Sequence, residues 1–291
     1  MGALEYNGKA DCLVTINDTD WRFAKSQNEA AESLRGELIE LAREAIDGRF
    51  GPPYHRSRRA RTWQAAAGQP AVLSVFVKLI EEPHGVARLK RIFKGSSGAH
   101  IERVTQRLND AGFSAPPVLL RGVNRAGSEL IITLRADGVG TLRTLDRLGH
   151  GPLARKWAML KAFGRELARF HRCGFVHGDL TPFNIFFISG EPFRFALIDN
   201  ERTRRVAALM GIRPRLRNLV QLGHFELPHI SRTDRLRVLR GYTEMMRPAL
   251  RRAVTRRVAT MLDRRIKREG RLTAVPPTRI DPPTHYAQER R

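Results

Sequence analysis

Three polar side chains in the second half of the sequence have the types and spacing that phosphoryl transfer requires. The stretch HGDLTPFNIFF places Asp179 in a polar turn and Asn184 five positions later, before an apolar run. A second apolar run ends at Asp199. A hydroxyl that attacks a phosphate needs a carboxylate to orient it and accept its proton, and a nucleotide needs metal ions held by hard oxygen ligands. Asp179 fits the first task, and Asn184 with Asp199 fits the second.

The elements around these residues predict how the chain brings them together. Apolar residues at helical spacing predict a long core helix over residues 155–172, followed by Gly174 as a stop signal. Residues 185–188 and 195–198 are short apolar runs separated by a Gly/Pro turn, which predicts a hairpin that returns Asp199 to the side of Asn184. More helix is expected beyond residue 214.

The first half of the chain has a different pattern and predicts a mixed sheet with one packed helix. Apolar residues at helical spacing over residues 29–46 predict an amphipathic helix that ends before Gly48. Helical spacing returns over residues 99–109. Residues 72–80 (VLSVFVKLI) and 127–134 (GSELIITL) are typical of strands.

The order of long helix, Asp-x4-Asn loop, hairpin and strand-ending Asp resembles the catalytic core of the protein-kinase-like superfamily. This resemblance implies an α+β, bilobal protein-kinase-like fold with a small mixed-sheet N-lobe and a mainly helical C-lobe. We therefore expect a nucleotide-binding N-lobe with an atypical N-terminal helix over residues 1–136 and a C-lobe over 137–250. A basic helical tail with a disordered end is expected over 251–291. ATP and Mg²⁺ are the implied cofactors.

The motifs narrow the resemblance to kinases of small molecules. Gly178 stands where protein kinases usually carry the Arg of His-Arg-Asp, and the metal motif is Asp199-Asn-Glu instead of Asp-Phe-Gly. Residues 217–244, with SRTDRLRVLRGY as the specific part, resemble the C-terminal signature of bacterial lipopolysaccharide core kinases of the WaaP/InaA-like group. These enzymes phosphorylate Kdo or heptose of the inner core, which implies a lipopolysaccharide core sugar as acceptor. A soluble small-molecule or protein acceptor stays open as an alternative, and a non-catalytic polyanion-binding module is the less favoured one.

The resemblance also implies roles for individual residues of the second half. Asp179 is expected to be the catalytic carboxylate. His177 is expected to hold the catalytic loop, residues 177–184, by a hydrogen bond. Asn184 and Asp199 are the expected metal ligands.

Counterparts in the first half are less distinct. Lys78 resembles the lysine that contacts the α- and β-phosphates, and Glu102 resembles its ion-pair partner, with Glu81 and Glu82 as competitors. No glycine-rich loop is recognisable, because its one candidate, Gly48-Arg-Phe-Gly, follows a helix instead of a strand. Three arginines are candidates for phosphate contact, with a solvated loop as the alternative: Arg58, Arg59 and Arg61.

Charge is the unusual feature of the composition. The 52 Lys and Arg residues against 29 Asp and Glu residues give a formal net charge of +23, which favours polyanionic partners. Residues 247–271 combine a strong basic excess with an apolar stripe at steps of three and four. Such a helix either lies on an anionic membrane surface or packs on the C-lobe with its arginines in water. No nucleic-acid motif or aromatic cluster accompanies the charge, so no specific nucleic-acid partner is expected.

Length and residue usage set the remaining limits. At 291 residues and 42% hydrophobic content, the chain is able to bury a sizeable core. Without an apolar run of about 18 residues or an apolar signal core, we expect a cytoplasmic protein, with peripheral attachment to the inner face of the membrane left open. The oligomeric state is also open. Two cysteines are too few for a disulfide framework, and three histidines lack zinc-ligand spacing to one another or to the cysteines: His171, His224 and His229.

Overall fold

The N-terminal half of the chain forms one sheet of seven strands in the computed structural model. Every pairing is antiparallel, and the strand order is first, second, sixth, seventh, fifth, fourth, third. The prediction of a mixed sheet was therefore wrong. Four of these pairs join strands that are consecutive in the chain, and such strands pair antiparallel because parallel pairing needs a long crossover connection. The strands are β1 (Cys12–Ile16), β2 (Thr19–Phe23), β3 (His55–Arg56), β4 (Ala60–Ala67), β5 (Leu73–Ile80), β6 (Val118–Asn124) and β7 (Glu129–Leu134).

Helices cover both faces of this sheet. The predicted helix over residues 29–46 is split at Leu34 into α1 (Glu29–Ser33) and α2 (Arg35–Ile46), and α2 packs on the face that carries Val77. The opposite face carries α3 (Ser97–Asp110), whose Ile101 packs with Ile131. Because side chains alternate along a strand and Lys78 lies opposite Ile131 in the register, Lys78 shares the face of α3. The structure describes residues 11–24, 29–57, 59–68, 72–82, 96–188, 190, 193–207 and 212–273.

The C-terminal half is mainly helical and has its own hydrophobic core, as predicted. Its helices α5 and α7 pack backbone against backbone, since both have a glycine at the contact. A Cβ at Gly164 would collide with the carbonyl oxygen of Val238, and a Cβ at Gly241 would collide with the carbonyl oxygen of Lys161. The bilobal α+β architecture predicted from the sequence is therefore confirmed. The described helices of this lobe are α4 (Thr141–Gly149), α5 (Leu153–Arg172), α6 (Arg213–Gly223), α7 (Arg232–Thr243) and α8 (Pro248–Glu269).

Short strands connect the helices of this lobe. The predicted hairpin is confirmed, because two of them pair antiparallel with Ile185 opposite Leu197. A two-residue pairing of Arg204–Arg205 with Phe175–Val176 ties the end of α5 to the segment after Asp199. The strands are β8 (Val139–Gly140), β9 (Phe175–Val176), β10 (Ile185–Ile188), β11 (Arg194–Leu197), β12 (Arg204–Arg205), β13 (Phe225–Glu226) and β14 (Leu272–Thr273).

The basic helix α8 packs on the C-terminal lobe. Val254 and Val258 are buried in the core of this lobe, and Met261 and Leu262 pack against it. The apolar stripe of this helix therefore packs on the C-lobe and is not free to lie on a membrane, and the arginines of the other face are in water. Within the described part of the chain, no helix has both the length and the apolar character needed to span a membrane. The predicted disordered end lies outside the described residues from position 274 onwards.

Candidate active site

His177 anchors the start of the catalytic loop. Its side chain is fully buried, Nδ1 accepts the backbone N–H of Asp179 at 3.1 Å, and Nε2 lies 3.0 Å from the carbonyl oxygen of Ile198. Because a carbonyl oxygen only accepts, Nε2 carries the proton and the ring is neutral. Burial lowers the pKa of His177, which also favours the neutral ring. His177 thus ties the loop to the residue that precedes Asp199.

Asp179 is held at one carboxylate oxygen and is open at the other. Gln221 on α6 donates to Oδ1 of Asp179 at 2.5 Å and accepts the N–H of Leu180 at 3.1 Å. Asn184 donates from Nδ2 to the backbone oxygen of Asp179 at 2.8 Å. Among the described residues, Oδ2 of Asp179 has no hydrogen-bond partner, and the residue is half-buried. The carboxylate is therefore oriented but still able to accept a proton from a bound hydroxyl.

Two side chains on α6 that the sequence reasoning missed fix this loop. Asn218 accepts the N–H of His177 at 3.1 Å and donates back to its carbonyl oxygen, while Gln221 holds Asp179. Residues three apart lie on the same face of a helix, so one turn of α6 supports the whole loop. The available signal was an Asn and a Gln at this spacing within the stretch RNLVQLGH.

Asn184 and Asp199 lie next to each other, as the hairpin predicted. The N–H of Ile198 donates to the backbone oxygen of Asn184 at 3.1 Å. Asp199 adopts the left-handed region, with φ 56° and ψ 52°, a conformation that costs a residue other than glycine roughly 1–2 kcal/mol. The side-chain oxygen of the buried Asn184 has no hydrogen-bond partner among the described residues. An unpaired amide oxygen beside a carboxylate is a donor set that fits Mg²⁺.

Gly178 occupies the position of the arginine in protein kinases, and the packing of this chain leaves no room for a side chain there. A Cβ at this position would collide with the side chain of Arg202 and lie 2.5 Å from its carbonyl oxygen. Arg202 belongs to the short 3₁₀ turn Asn200–Arg202 that follows Asp199. The glycine therefore allows the segment after Asp199 to pack directly on the catalytic loop.

Lys78 reaches this segment from the N-terminal sheet. Its Nζ lies 2.9 Å from Oε2 of Glu201 and 3.6 Å from Oδ1 of Asp199. Burial of Lys78 opposes its charged form, but the two carboxylates outweigh burial and raise its pKa. The lysine is therefore a fixed cation at the point where the two lobes meet. Two further lysines that follow β5 in the sequence, Lys90 and Lys94, lie outside the described residues.

The predicted ion pair between Lys78 and Glu102 is not formed. Glu102 instead accepts from Nε of Arg121 on β6 at 2.7 Å, so it fastens α3 to the sheet. The partner of Lys78 is Glu201, which the sequence indicates only as the last residue of the Asp199-Asn-Glu motif. Of the two competitors named with Glu102, Glu81 lies 3.8 Å from Arg61. Glu82 is half-buried, and no ion pair to Lys78 is found for either.

The one candidate for a glycine-rich loop, residues 48–51, lies on the face of the sheet opposite to Lys78. The carbonyl oxygen of Gly51 accepts the indole N–H of Trp63 at 2.9 Å. Trp63 lies opposite Val77 in the register, so it shares the α2 face and not the face of Lys78. Arg61 lies two residues before Trp63 on β4 and therefore shares its face of the sheet, where its guanidinium lies over the Trp63 ring. Arg59 is exposed in the turn between β3 and β4, and Arg58 lies outside the described residues.

Comparison with known protein families identifies the part of the chain that carries the candidate site. The model of the lipopolysaccharide kinase (Kdo/WaaP) family matches residues 95–242, about half of the chain. The match begins just before α3, includes the catalytic loop and Asp199, and ends within α7, whereas Lys78 lies before it. No curated protein shows significant similarity to the chain.

Proposed function

The chain belongs to the lipopolysaccharide kinase (Kdo/WaaP) family, and from this membership we propose that it uses ATP and Mg²⁺ to phosphorylate a sugar hydroxyl, of Kdo or heptose, in the lipopolysaccharide inner core. The observation that carries the proposal is the carboxylate of Asp179, held by Gln221 on one oxygen and open on the other. A carboxylate in this state is suited to orient an acceptor hydroxyl and to take its proton.

Other residues near Asp179 would bind the nucleotide phosphates and the metal ion. Lys78 supplies a fixed positive charge for the phosphates of the nucleotide, since Glu201 and Asp199 hold its ammonium group in place. Asn184 and Asp199 would hold Mg²⁺, which when bound neutralises charge on the phosphates. The acceptor oxygen forms the new bond to the γ-phosphorus as the bond to the leaving ADP oxygen breaks, and the proton of the hydroxyl passes to Asp179.

The charge of the chain supports an acceptor at an anionic membrane surface. Several arginines of α8 are exposed on the side away from the apolar stripe, which itself packs on the C-terminal lobe. Attachment is therefore electrostatic and does not require insertion of the helix. The exposed arginines of its first turns are Arg251, Arg252, Arg256 and Arg257.

Mass spectrometry of lipid A–core tests the proposal most simply. We expect cells that lack the gene to lose one phosphate from the inner core, and cells that carry the wild-type gene in trans to regain it. A fragment spectrum locates the phosphate on Kdo or on heptose. An inner core with unchanged phosphate content would contradict the lipopolysaccharide acceptor, and ATP turnover with a soluble acceptor would then identify the alternative.

A further inference from the structure

The fold brings together three side chains of the C-terminal lobe that are distant in the sequence. Asp146 and His150 lie one helical turn apart at the end of α4, and His229 belongs to the loop before α7. Their candidate ligand atoms all lie within 4.8 Å of one another, and all three residues are exposed. We propose that Asp146, His150 and His229 form a Zn²⁺ site that links α4 to this loop.

The ring of His150 is already in the form that binds a metal. Its Nδ1 lies 2.9 Å from the backbone oxygen of Asp146. A carbonyl oxygen accepts only, so in the neutral ring Nδ1 carries the proton and Nε2 keeps its lone pair. Metal-binding histidines almost always donate their second ring N–H to a carbonyl or a carboxylate in this way, which fixes the tautomer and the direction of the ring.

The distance between the other two ligand atoms fits a metal better than a hydrogen bond. Nε2 of His229 lies 3.5 Å from Oδ1 of Asp146. This is longer than an ordinary N–H···O hydrogen bond of about 2.7–3.2 Å. Zinc bonds of about 2.0–2.1 Å in a tetrahedron place neighbouring ligand atoms about 3.3–3.4 Å apart. The pair therefore needs almost no movement to accept the ion.

The loop that carries His229 is held in position by buried groups. The buried ammonium of Lys156 donates to the backbone oxygen of His229 at 2.8 Å and forms an ion pair with the buried Asp234 at 2.8 Å. His229 itself adopts a left-handed conformation, with φ 56°. A bulky residue adopts this conformation only where its surroundings enforce it, so the position of the ring is set by the fold.

Gly149 makes the space that the ring of His229 occupies. A Cβ at position 149 would lie 2.6 Å from Nδ1 and 2.7 Å from Cδ2 of His229. Gly149 is the last residue of α4 and lies between Asp146 on that helix and His150, which directly follows it. Every other residue type at this position would push the third ligand away.

The donor set selects the class of metal. Two imidazoles with one carboxylate suit Zn²⁺ and related transition-metal ions, whereas Mg²⁺ and Ca²⁺ prefer sets made only of oxygen. Three protein ligands leave a fourth position for water. Within the described part of the chain, none of the three side chains contacts Asp179, Asn184, Asp199 or Lys78, so this site is separate from the proposed nucleotide site.

Zinc titration of the full chain without an affinity tag, against a chromophoric chelator, tests the proposal. We expect wild type to bind about one Zn²⁺ in excess Mg²⁺ and to show intense visible absorption with Co²⁺, as a tetrahedral site requires. His150→Ala and His229→Ala should weaken Zn²⁺ binding at least about 100-fold. Gly149→Ala retains all three ligands and should weaken binding roughly 10–100-fold by displacing the ring of His229. His55→Ala, which removes an exposed histidine of β3, is the matched control and should bind as wild type does.

Circular dichroism of each variant separates loss of the site from loss of the fold. The proposal would be overturned if three folded variants bound Zn²⁺ as tightly as wild type: His150→Ala, His229→Ala and Gly149→Ala. So would an equal loss of affinity in His55→Ala, because it would indicate scattered binding to surface histidines. If a ligand variant failed to fold, Gly149→Ala would decide, since alanine is favoured in a helix.

Discussion

Lys78 shows how one residue of the site differs from the pattern of protein kinases. Its partners are Glu201 and Asp199, both from the segment after the hairpin, and Glu102 on α3 is engaged by Arg121. The lysine is therefore oriented by the segment that carries the proposed metal ligand Asp199. A rearrangement of that segment would move Lys78 and the proposed metal ligands together.

We expect Lys78→Ala to lower kcat/KM for ATP roughly 10²-fold, because it removes a preorganised cation from the nucleotide phosphates. Lys78 lies near the end of β5 with a side chain 27% exposed, so the variant should keep its fold. Glu201→Gln should reproduce part of this loss, since the lysine loses its nearest carboxylate. Glu102→Gln is the matched control and should retain transfer within about threefold, because Glu102 acts on Arg121.

Steady-state kinetics with melting temperatures for all three variants decide this point. Wild-type kinetics in Lys78→Ala, together with a loss in Lys90→Ala or Lys94→Ala, would mean that another lysine contacts the phosphates. A loss in Glu102→Gln as large as that in Lys78→Ala would restore Glu102 as its functional partner.

At the scale of the elements, a buried histidine joins three helices of the C-terminal lobe. His171 on α5 donates from Nε2 to Asn218 on α6 at 3.1 Å, and its Nδ1 accepts the hydroxyl of Tyr242 on α7 at 2.9 Å. Asn218 also holds His177, so the same contact supports the catalytic loop. Burial lowers the pKa of His171 to about 4. The junction is therefore stable only while this ring is neutral.

The low pKa of His171 predicts a loss of stability in acid. In the unfolded chain a histidine titrates near pH 6.5, so the unfolded state binds more protons than the native state between about pH 6.5 and 4. Stability is complete above this window and should fall by up to about 3 kcal/mol as the pH drops through it. Burial lowers the pKa of His177 as well, which acts in the same direction.

Urea unfolding between pH 7.5 and 5 measures this effect. In His171→Gln, the amide is able to donate to Asn218 and accept from Tyr242 without titrating, so we expect the pH dependence to be flatter than in wild type. A wild-type protein that is equally stable at pH 7.5 and pH 5 would contradict the prediction. An unchanged slope in a folded His171→Gln variant would assign the effect to other groups.

The sequence predicted those elements whose periodicity is strong and local. The helix expected over residues 155–172 and the hairpin after residue 185 both exist, within two residues of their predicted ends. The hairpin of β1 and β2 was missed, because its turn uses Asn17 and Asp18 with positive φ where glycine would have been the clear signal.

Contacts between distant segments were beyond the sequence reasoning. Whether Lys78 pairs with Glu102 or Glu201 depends on which carboxylate the folded chain brings within reach. The sequence also gave no reason to group His150 with His229, because they approach only through the packing of α4 on the loop before α7. Residue types and local spacing thus predicted the position of the loop that carries Asp179 and Asn184, and its catalytic role stays a prediction. The supporting partners Asn218 and Gln221 are visible only in the tertiary structure.

At the scale of the whole molecule, the excess of positive charge predicts binding to anionic membranes. Because the apolar stripe of α8 packs on the protein, binding should be electrostatic and contribute about 1 kcal/mol for each basic residue near the surface. We expect cosedimentation with vesicles that contain anionic lipid, no binding to neutral vesicles, and release as salt shortens the screening length. Arginine-to-glutamine changes at three exposed sites of α8 should weaken binding at least tenfold: Arg252, Arg256 and Arg257.

A control variant that loses the same number of charges in the N-lobe shows whether membrane binding depends on α8 or on the net charge of the chain. The matched control changes three exposed arginines of the N-terminal lobe to glutamine and should bind nearly as wild type does: Arg22, Arg107 and Arg125. Equal weakening in both variants would contradict a specific role for α8. Binding to neutral vesicles would contradict the electrostatic mechanism.

Phosphoryl transfer by Asp179→Asn tests the central claim, that Asp179 is the catalytic carboxylate of an active kinase. The amide keeps the shape of the side chain, and Asn184 and Asp199 remain in place as the proposed metal ligands. We therefore expect the affinity for an ATP analogue and the melting temperature to stay near their wild-type values. Transfer should fall roughly 10²–10⁴-fold, the usual contribution of a positioned general base.

The transfer rate is best measured beside Asp263→Asn, an exposed aspartate of α8 whose ion pair with Lys267 lies on the surface. This control should transfer phosphate at the wild-type rate. The account predicts that Asp179→Asn separates the two quantities, with nucleotide binding retained and transfer lost. A folded Asp179→Asn protein that transfers phosphate at a rate close to that of wild type would contradict it.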